Sequence, residues 1–172
     1  MRIVAGSLRG RRFDAPRGTT TRPSSDFVRE TAFNLIGPVE DAEVCDLYAG
    51  SGGLGLEALS RGAASCLFID SSAPACATIE ANLARLGLAA SVLRRDVIDA
   101  LALQRRAFDL ILCDPPYELD PSAALAPLLA RLLAPDGLVV YQSAARVEPG
   151  LAGLAVGTSR RYGSARLTLF RH

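Results

Sequence analysis

Apolar and polar positions along this chain switch between two rhythms, and the switches mark its elements. From residue 43 a short apolar run, Glu43–Tyr48, gives way to Leu54, Leu56, Ala58 and Leu59 at helical spacing, so a strand leads into a helix over Leu54–Arg61. The pattern then repeats. Ser65–Asp70 reads as a strand; Ser72 caps a helix whose Cys76, Ile79, Leu83 and Leu86 share one face, and Gly87 ends it. Ala89–Arg94 is a third strand, and a short helix covers about Val97–Leu103 after Asp96. Phe108–Cys113 is apolar but for Asp109, as expected of a central parallel strand. Leu125, Leu128, Leu129 and Leu132 predict another helix, which Pro127 either kinks or starts. Pro135-Asp136-Gly137 turns into the strand Leu138–Gln142, and two last strands, about Leu154–Arg161 and Ala165–Phe170, flank Tyr162-Gly163-Ser164.

Repeated β-α units of this kind predict an α/β fold with a doubly wound, mostly parallel sheet; the terminal strand pair predicts an antiparallel edge. The residues ahead of it stand apart. Residues 2–14 alternate loosely around Gly6-Ser7 and Arg9-Gly10-Arg11-Arg12, which predicts a short β-hairpin or two strands with a basic tip. A polar loop, Arg17 to Pro23, leads to Ser24, Ser25 or Asp26, any of which can cap a helix with Phe27, Val28, Ala32, Leu35 and Ile36 on its apolar face. Gly37-Pro38 stops that helix. The 172 residues therefore divide into an N-terminal extension, 1–37, and a core, 43–172, within one domain.

An apolar content of 49% and a positive mean hydropathy fit a compact globule. No run approaches the ~20 apolar residues of a membrane span, and the first residues lack the apolar stretch of a signal peptide, so a cytoplasmic protein without a membrane partner is expected. Cys45, Cys66, Cys76 and Cys113 form no C-x-x-C pair and read as buried thiols, with no metal site expected. The one histidine, His172, is the last residue, which excludes histidine catalysis. A net charge of +1 hides a segregation: residues 1–30 carry seven arginines against three acids, residues 31–145 seven against fourteen, and residues 146–172 five against one. Basic ends on an acidic middle, with no lysine, point to an anionic polymer held at the termini.

The chemistry gathers where strands end. Gly50-Ser51-Gly52-Gly53-Leu54-Gly55 is a glycine turn between strand and helix, whose glycines are expected to let the main chain approach a ligand at the helix start. It fits the G-x-G-x-x-G dinucleotide pattern, but Asp46 just before it would repel a pyrophosphate. An acidic entry suits a ligand bearing an ammonium and a sulfonium. Four acids, Asp46, Asp70, Asp96 and Asp114, end successive strands, where an open α/β sheet binds its ligands. Asp70 is positioned to accept from ribose hydroxyls, Asp96 from an adenine amine, and Asp46 to help hold a cationic amino-acid end. Asp46-Leu47-Tyr48-Ala49-Gly50-Ser51-Gly52 resembles motif I of the class I S-adenosylmethionine (SAM) methyltransferases. The resemblance implies a Rossmann-like, seven-stranded fold and a cofactor site formed by Asp46, Tyr48, Ala49, Gly50, Ser51, Gly52, Asp70, Ser71, Asp96 and Val97.

Asp114-Pro115-Pro116-Tyr117 is the more specific signal. It resembles the motif of methyltransferases acting on planar amino groups. The lone pair of an exocyclic amine is delocalised into its ring, so it is a poor nucleophile. A carboxylate and a neighbouring carbonyl can accept its two N–H bonds, localise the lone pair and aim it at a sulfonium methyl; the prolines fix these acceptors and Tyr117 can stack on the base. A base within RNA must be exposed or flipped to arrive there.

Arg2 to Arg11, Thr21 to Glu30 with Phe33-Asn34, and Asp46 to Ala58 resemble the RsmD family, and with Asp114 to Tyr117 the similarity spans nearly the whole chain. The tail Arg161 to Arg166 matches more loosely. The resemblance implies methyl transfer from SAM to guanine N2 of 16S ribosomal RNA within an assembling small subunit, release of S-adenosylhomocysteine, and a monomeric enzyme. Arg9, Arg11, Arg12 and Arg22 are then candidate RNA contacts. Residue chemistry alone leaves open another amino target, such as DNA adenine N6 or a protein glutamine. A dehydrogenase would leave the D-P-P-Y motif unexplained, and a non-catalytic RNA-binding module would not need four strand-end acids.

Overall fold

In the computed structural model, which describes residues 1–16, 26–116 and 121–172, seven strands form one sheet. The elements in chain order are α1 (Asp26–Ile36), β1 (Glu43–Leu47), α2 (Gly53–Ser60), β2 (Ser65–Asp70), α3 (Ala73–Leu86), β3 (Ser91–Arg94), α4 (Val97–Leu103), β4 (Phe108–Cys113), α5 (Ser122–Leu132), β5 (Leu133–Ala144), β6 (Ala155–Tyr162) and β7 (Ala165–Arg171). The strand order is β3-β2-β1-β4-β5-β7-β6. β1 to β5 are parallel, and β7 runs antiparallel between β5 and β6. This is the Rossmann-like class I architecture with its antiparallel C-terminal edge. The order reverses between β1 and β4, so their carboxyl ends open the crevice in which such folds bind ligands.

Both faces of the sheet are covered, and the strand sequences show it. Val44, Leu110 and Leu112 pack with Phe33, Leu56, Phe68 and Ile79 on the side of α1, α2 and α3. Cys45, Leu47, Ile111 and Cys113 pack with Leu101, Leu125 and Leu129 on the side of α4 and α5. Alternate residues serve opposite layers, so central strands read as unbroken apolar runs. All four cysteines are buried free thiols. No helix among the described residues is long and apolar enough to cross a membrane.

Three local expectations change. The N-terminal hairpin is a loop with a single antiparallel bridge, Arg2↔Arg12: Ile3 N–H donates to Arg11 O at 2.9 Å and Phe13 N–H to Met1 O at 3.1 Å, but further along the loop the backbone turns to helix side chains. Val4 N–H and Ala5 N–H donate to the two oxygens of Glu57 at 2.8 and 2.9 Å, and Leu8 N–H donates to Ser60 Oγ at 3.0 Å. The buried face of α1 is Arg29, Ala32 and Phe33; Phe27 is 62% exposed and does not belong to it. Ser24 and Ser25, proposed as caps, lie outside the described residues. The last parallel strand begins at Leu133, which pairs with Phe108 before a bulge absorbs residues 134–137 and pairing resumes at Leu110↔Leu138. Pro127 sits inside α5 on an exposed position, where water can take the carbonyl that its missing N–H leaves unbonded.

The crossing of α2 over β2 is close. A Cβ on Gly55 would lie 2.3 Å from Phe68 Cε1 and 2.7 Å from Cys66 Sγ. Gly55→Ala is therefore expected to destabilise the fold by about 1–3 kcal/mol, the usual cost of overpacking. Urea unfolding monitored by circular dichroism measures it; an unchanged midpoint would show that the helix shifts freely on the sheet.

Candidate active site and family

The turn between β1 and α2 is held by two carboxylates. Asp46, 1% exposed, accepts the Gly55 N–H at 2.8 Å, which fixes the first turn of α2 to the end of β1. Asp70, at the end of β2, accepts the Gly50 N–H at 2.8 Å through one oxygen and the Ser72 N–H at 2.8 Å through the other. Burial pushes the Asp46 carboxyl well above the ordinary carboxylate range; the Gly55 N–H opposes the shift, and the charges of Asp114 and Asp70 add to it. Asp46 thus feels two of the other strand-end acids, Asp114 and Asp70. The fourth, Asp96, is exposed and caps α4, with Oδ1 accepting from Ile98 N–H at 2.9 Å and Asp99 N–H at 3.3 Å.

The glycines divide their work in a way the sequence pattern did not reveal. They were expected to share one role, approach to a ligand. A Cβ on Gly50 would meet only Tyr48 O, at 3.8 Å, so this residue alone borders open space. A Cβ on Gly52 would crowd Ile79 and Phe68, and Gly55 packs on β2 as described; these two serve helix–sheet contact. Tyr48, with φ 57°, holds a left-handed backbone that costs a bulky residue roughly 1 kcal/mol. Gly52 before α2 offers no side-chain cap and Asp46 takes the Gly55 N–H, so the N–H groups of Gly53 and Leu54 remain for a ligand. Ala49 and Val97 are buried beneath the turn, while Ser51 is half-buried and Ser71 exposed at its rim. An open cradle at Gly50, an uncapped helix start and an exposed Asp96 fit an elongated nucleoside ligand bearing a cationic tail.

β4 delivers Asp114-Pro115-Pro116 beside this turn. Leu47 and Cys113 are register partners, and the Asp114 N–H points to Leu47 O at 3.5 Å. Pro115 is buried and Pro116 exposed. Tyr117 and Arg22 lie outside the described residues. Arg9, Arg11 and Arg12 are exposed. The loop tip bearing Arg9 and Arg11 docks at Ser60, the far end of α2, roughly 12 Å along that helix from the glycine turn. Arg12 pairs with Arg2 at the near end.

Three buried polar residues join the N-terminal extension to the site, and none was assigned a role from sequence. Asn82 is 1% exposed; its Oδ1 accepts Asp14 N–H, and its Nδ2 donates to Asp14 O at 2.9 Å and to Ser51 O in the glycine turn at 3.2 Å. Glu57 binds residues 4 and 5 and pairs with Arg61 at 2.9 Å. Arg29 is wholly buried, donates to Arg2 O and Asp26 Oδ1 at 2.7 Å each, and lies beside Gly53. The available signal was a polar residue on an otherwise apolar helix face, as with Asn82 between Ile79, Leu83 and Leu86.

With this geometry the comparisons with known proteins agree. The family model described as "Conserved hypothetical protein 95" matches residues 1–171. The Bacillus subtilis protein named "Putative rRNA methyltransferase YlbH" is 40% identical over 99% of this chain and 98% of its own length. "Ribosomal RNA small subunit methyltransferase D" of Escherichia coli is 40% identical over 68% of this chain and 60% of its own. The chain belongs to the RsmD family. The solved Escherichia coli structure titled "Putative methyltransferase yhhF" superposes with a TM-score of 0.88 at 31% identity, covering 100% of this chain and 97% of that one. The RsmD-like fold is therefore shared along the entire length, N-terminal extension included.

The raised Asp46 carboxyl makes native stability depend on pH. The native state holds this proton more tightly than the unfolded chain, whose carboxyl has the ordinary value of 3.8. Stability contributed by the protonated form is complete below about pH 4 and falls as pH rises toward the elevated native value. Asp46→Asn is expected to flatten that part of the profile, read from melting temperatures between pH 4 and 8; a parallel profile would assign the slope to other groups.

Proposed function

We propose that the protein transfers a methyl group from SAM to the exocyclic N2 of a guanine in 16S ribosomal RNA, acting on an assembling small subunit. The observation that carries this reading is the side-by-side register of β1 and β4, which brings Asp114-Pro115-Pro116 against the glycine turn. Donor and acceptor sites then share one crevice. The family relatives named as ribosomal RNA methyltransferases support the substrate class.

When bound, SAM supplies an electrophilic methyl on sulfur and leaves as S-adenosylhomocysteine. The chain's own part is binding and aim. Asp70, already holding Gly50 and Ser72, has lone pairs left for the ribose hydroxyls. Asp96 offers its second oxygen to the adenine amine. Gly50 gives the main chain room to approach, and Asp46 acts from beneath by fixing Gly55. Tyr48, Ala49, Ser51, Gly52, Ser71 and Val97 shape the walls of that pocket. On the acceptor side Asp114 and the Pro115 carbonyl accept the two amine N–H bonds, which localises the lone pair and directs it toward the methyl. Tyr117 stacks on the base. The proton leaves the product ammonium after transfer, so Asp114 need not be a strong base. Arg9, Arg11, Arg12 and Arg22 hold phosphates outside the crevice, where a large RNA reaches them.

Methyl transfer from radiolabelled SAM tests the reading, using small-subunit particles from cells lacking this protein, with DNA and protein as parallel substrates. Label mapping to N2-methylguanine is expected; label only in DNA or protein would discard the ribosomal target. Asp114→Ala should lower kcat by about a hundredfold or more while calorimetric SAM affinity stays unchanged. Loss of SAM affinity instead would move Asp114 to the cofactor side. Gly50→Ala should weaken SAM binding, since its Cβ would enter the open cradle, and should also cost about 1 kcal/mol of stability, because φ +57° is a left-handed backbone; a loss of SAM affinity larger than that stability cost, read by calorimetry beside urea unfolding, is the expected result.

A further inference from the structure

One aromatic pair stands at the margin of the core, with Tyr162 packed against it and Phe27 outside it. Phe27, in the first turn of α1, is 62% exposed, and its ring meets that of half-buried Tyr162 edge-on, with centroids 6.5 Å apart and planes at 71°. A phenylalanine this exposed at the start of a helix contributes little to folding, so its apolar face is available to something else.

The register fixes where the pair sits. Cys113 at the end of β4 is level with Tyr141 of β5, and Ala144, three residues further, is level with Ala165 and hence Tyr162. Tyr162 therefore stands beyond the carboxyl end of β4, at the same end of the sheet as Asp114, three strand spacings to the side (roughly 14 Å) and about 10 Å further along the strand direction than Cys113. From the other direction α1 reaches the glycine turn, through Arg29 beside Gly53. The pair thus flanks the crevice at a distance a few nucleotides can bridge.

Its surroundings are cationic. Arg2, whose side chain is 68% exposed, pairs with Asp26 at 2.9 Å, and Arg29 pairs with the other oxygen of Asp26 at 2.7 Å, so Asp26 is shared by two guanidinium groups; exposed Glu30, one helical turn on from Phe27, is a second acid nearby. Exposed Arg160 precedes Tyr162 by two residues on the same strand face, and exposed Arg161 lies between them. An aromatic face bordered by arginines matches the two things a single strand offers, a base plane and a phosphate. Resting on the RNA methyltransferase reading above, we propose that Phe27 and Tyr162 form a stacking platform for an unpaired nucleotide flanking the methylated base, with Arg2 and Arg160 on its phosphates. The platform would hold the strand while the target base turns into the crevice, and it would add affinity for RNA without touching the reacting atoms.

The test compares Phe27→Ala, Phe27→Leu and Phe27→Tyr in methylation kinetics on small-subunit particles and in filter binding to deproteinised 16S rRNA. Phe27→Ala is expected to raise KM for particles and Kd for the RNA about tenfold or more, with kcat, SAM affinity and melting temperature unchanged. Phe27→Tyr should recover the loss and Phe27→Leu should not, because only the former keeps a flat π-face. Unchanged KM and Kd for Phe27→Ala, or full recovery by Phe27→Leu, would overturn the platform. So would weaker binding to particles with undiminished binding to the free RNA, which would mark a contact with a ribosomal protein. Failure of the wild-type protein to methylate RNA at all is a separate result; it would remove the functional reading, and the platform with it.

Discussion

The hydrogen bond from Gly55 N–H to Asp46, buried at the junction of β1 and α2, is the constraint on which the site depends. A carboxylate one residue from the end of a central strand reaches past the turn and fastens the helix that leaves it. The helix can be fastened so tightly only because Gly55 presents no Cβ to Phe68 and Cys66. With α2 pinned there, Gly50 is pushed to the crevice side of the turn and Tyr48 is forced into its left-handed backbone. Asp70 then clips the turn to the end of β2 from the other side. Two carboxylates on adjacent strands thus fix the glycine turn by its own N–H groups, and the price is a buried acid whose ionisation the fold resists.

The N-terminal extension is built into the same junction instead of lying loosely over it. Glu57 grips residues 4 and 5 from the middle of α2, Asn82 ties residue 14 to the carbonyl of Ser51, and Arg29 joins Arg2 and Asp26 beside Gly53. All three are almost fully buried. Buried polar groups are tolerated only when their partners are in place, so removing one partner from such a network costs more than a surface hydrogen bond. The extension is accordingly a structural wall of the site: it positions Ser51 and the start of α1, and through them the rim on which Phe27 stands.

Most of the fold was legible because periodicity survives burial. The largely apolar runs 44–47, 66–69 and 108–113 read as central strands, and Ser72 and Gly87 marked helix ends by their own capping chemistry, whereas the capping role of Asp96 emerged only in the structure. The strand-end acids were legible for a similar reason, since charge after an apolar run has few structural excuses. What could not be read is whatever depends on distant partners. Gly52 and Gly55 look the same as Gly50 in sequence and differ only in what lies behind them. Phe27 fits an apolar helix stripe on paper, but the face of α1 is rotated so that Arg29 is buried and Phe27 is not, because Arg29 finds Arg2 O and Asp26 inside. The hairpin failed to form regular strands because Glu57 and Ser60 compete for its N–H groups.

The segregation of charge along the chain acquires a physical meaning once the ends are folded onto the middle. Asp70 and Asp114 make the crevice a poor place for a phosphate, while the extension and the antiparallel edge carry arginines. A polyanion approaching such a surface is attracted to the rim and repelled from the floor. The part of a nucleotide that can enter is the neutral base, and the bases that gain most are those with an exocyclic amine to donate to a carboxylate. On the proposed reading, the acids therefore do more than orient donor and acceptor. They reject the backbone, so that a nucleic acid can engage this site only by turning a base away from its phosphates, and the extruded base is the form the chemistry requires.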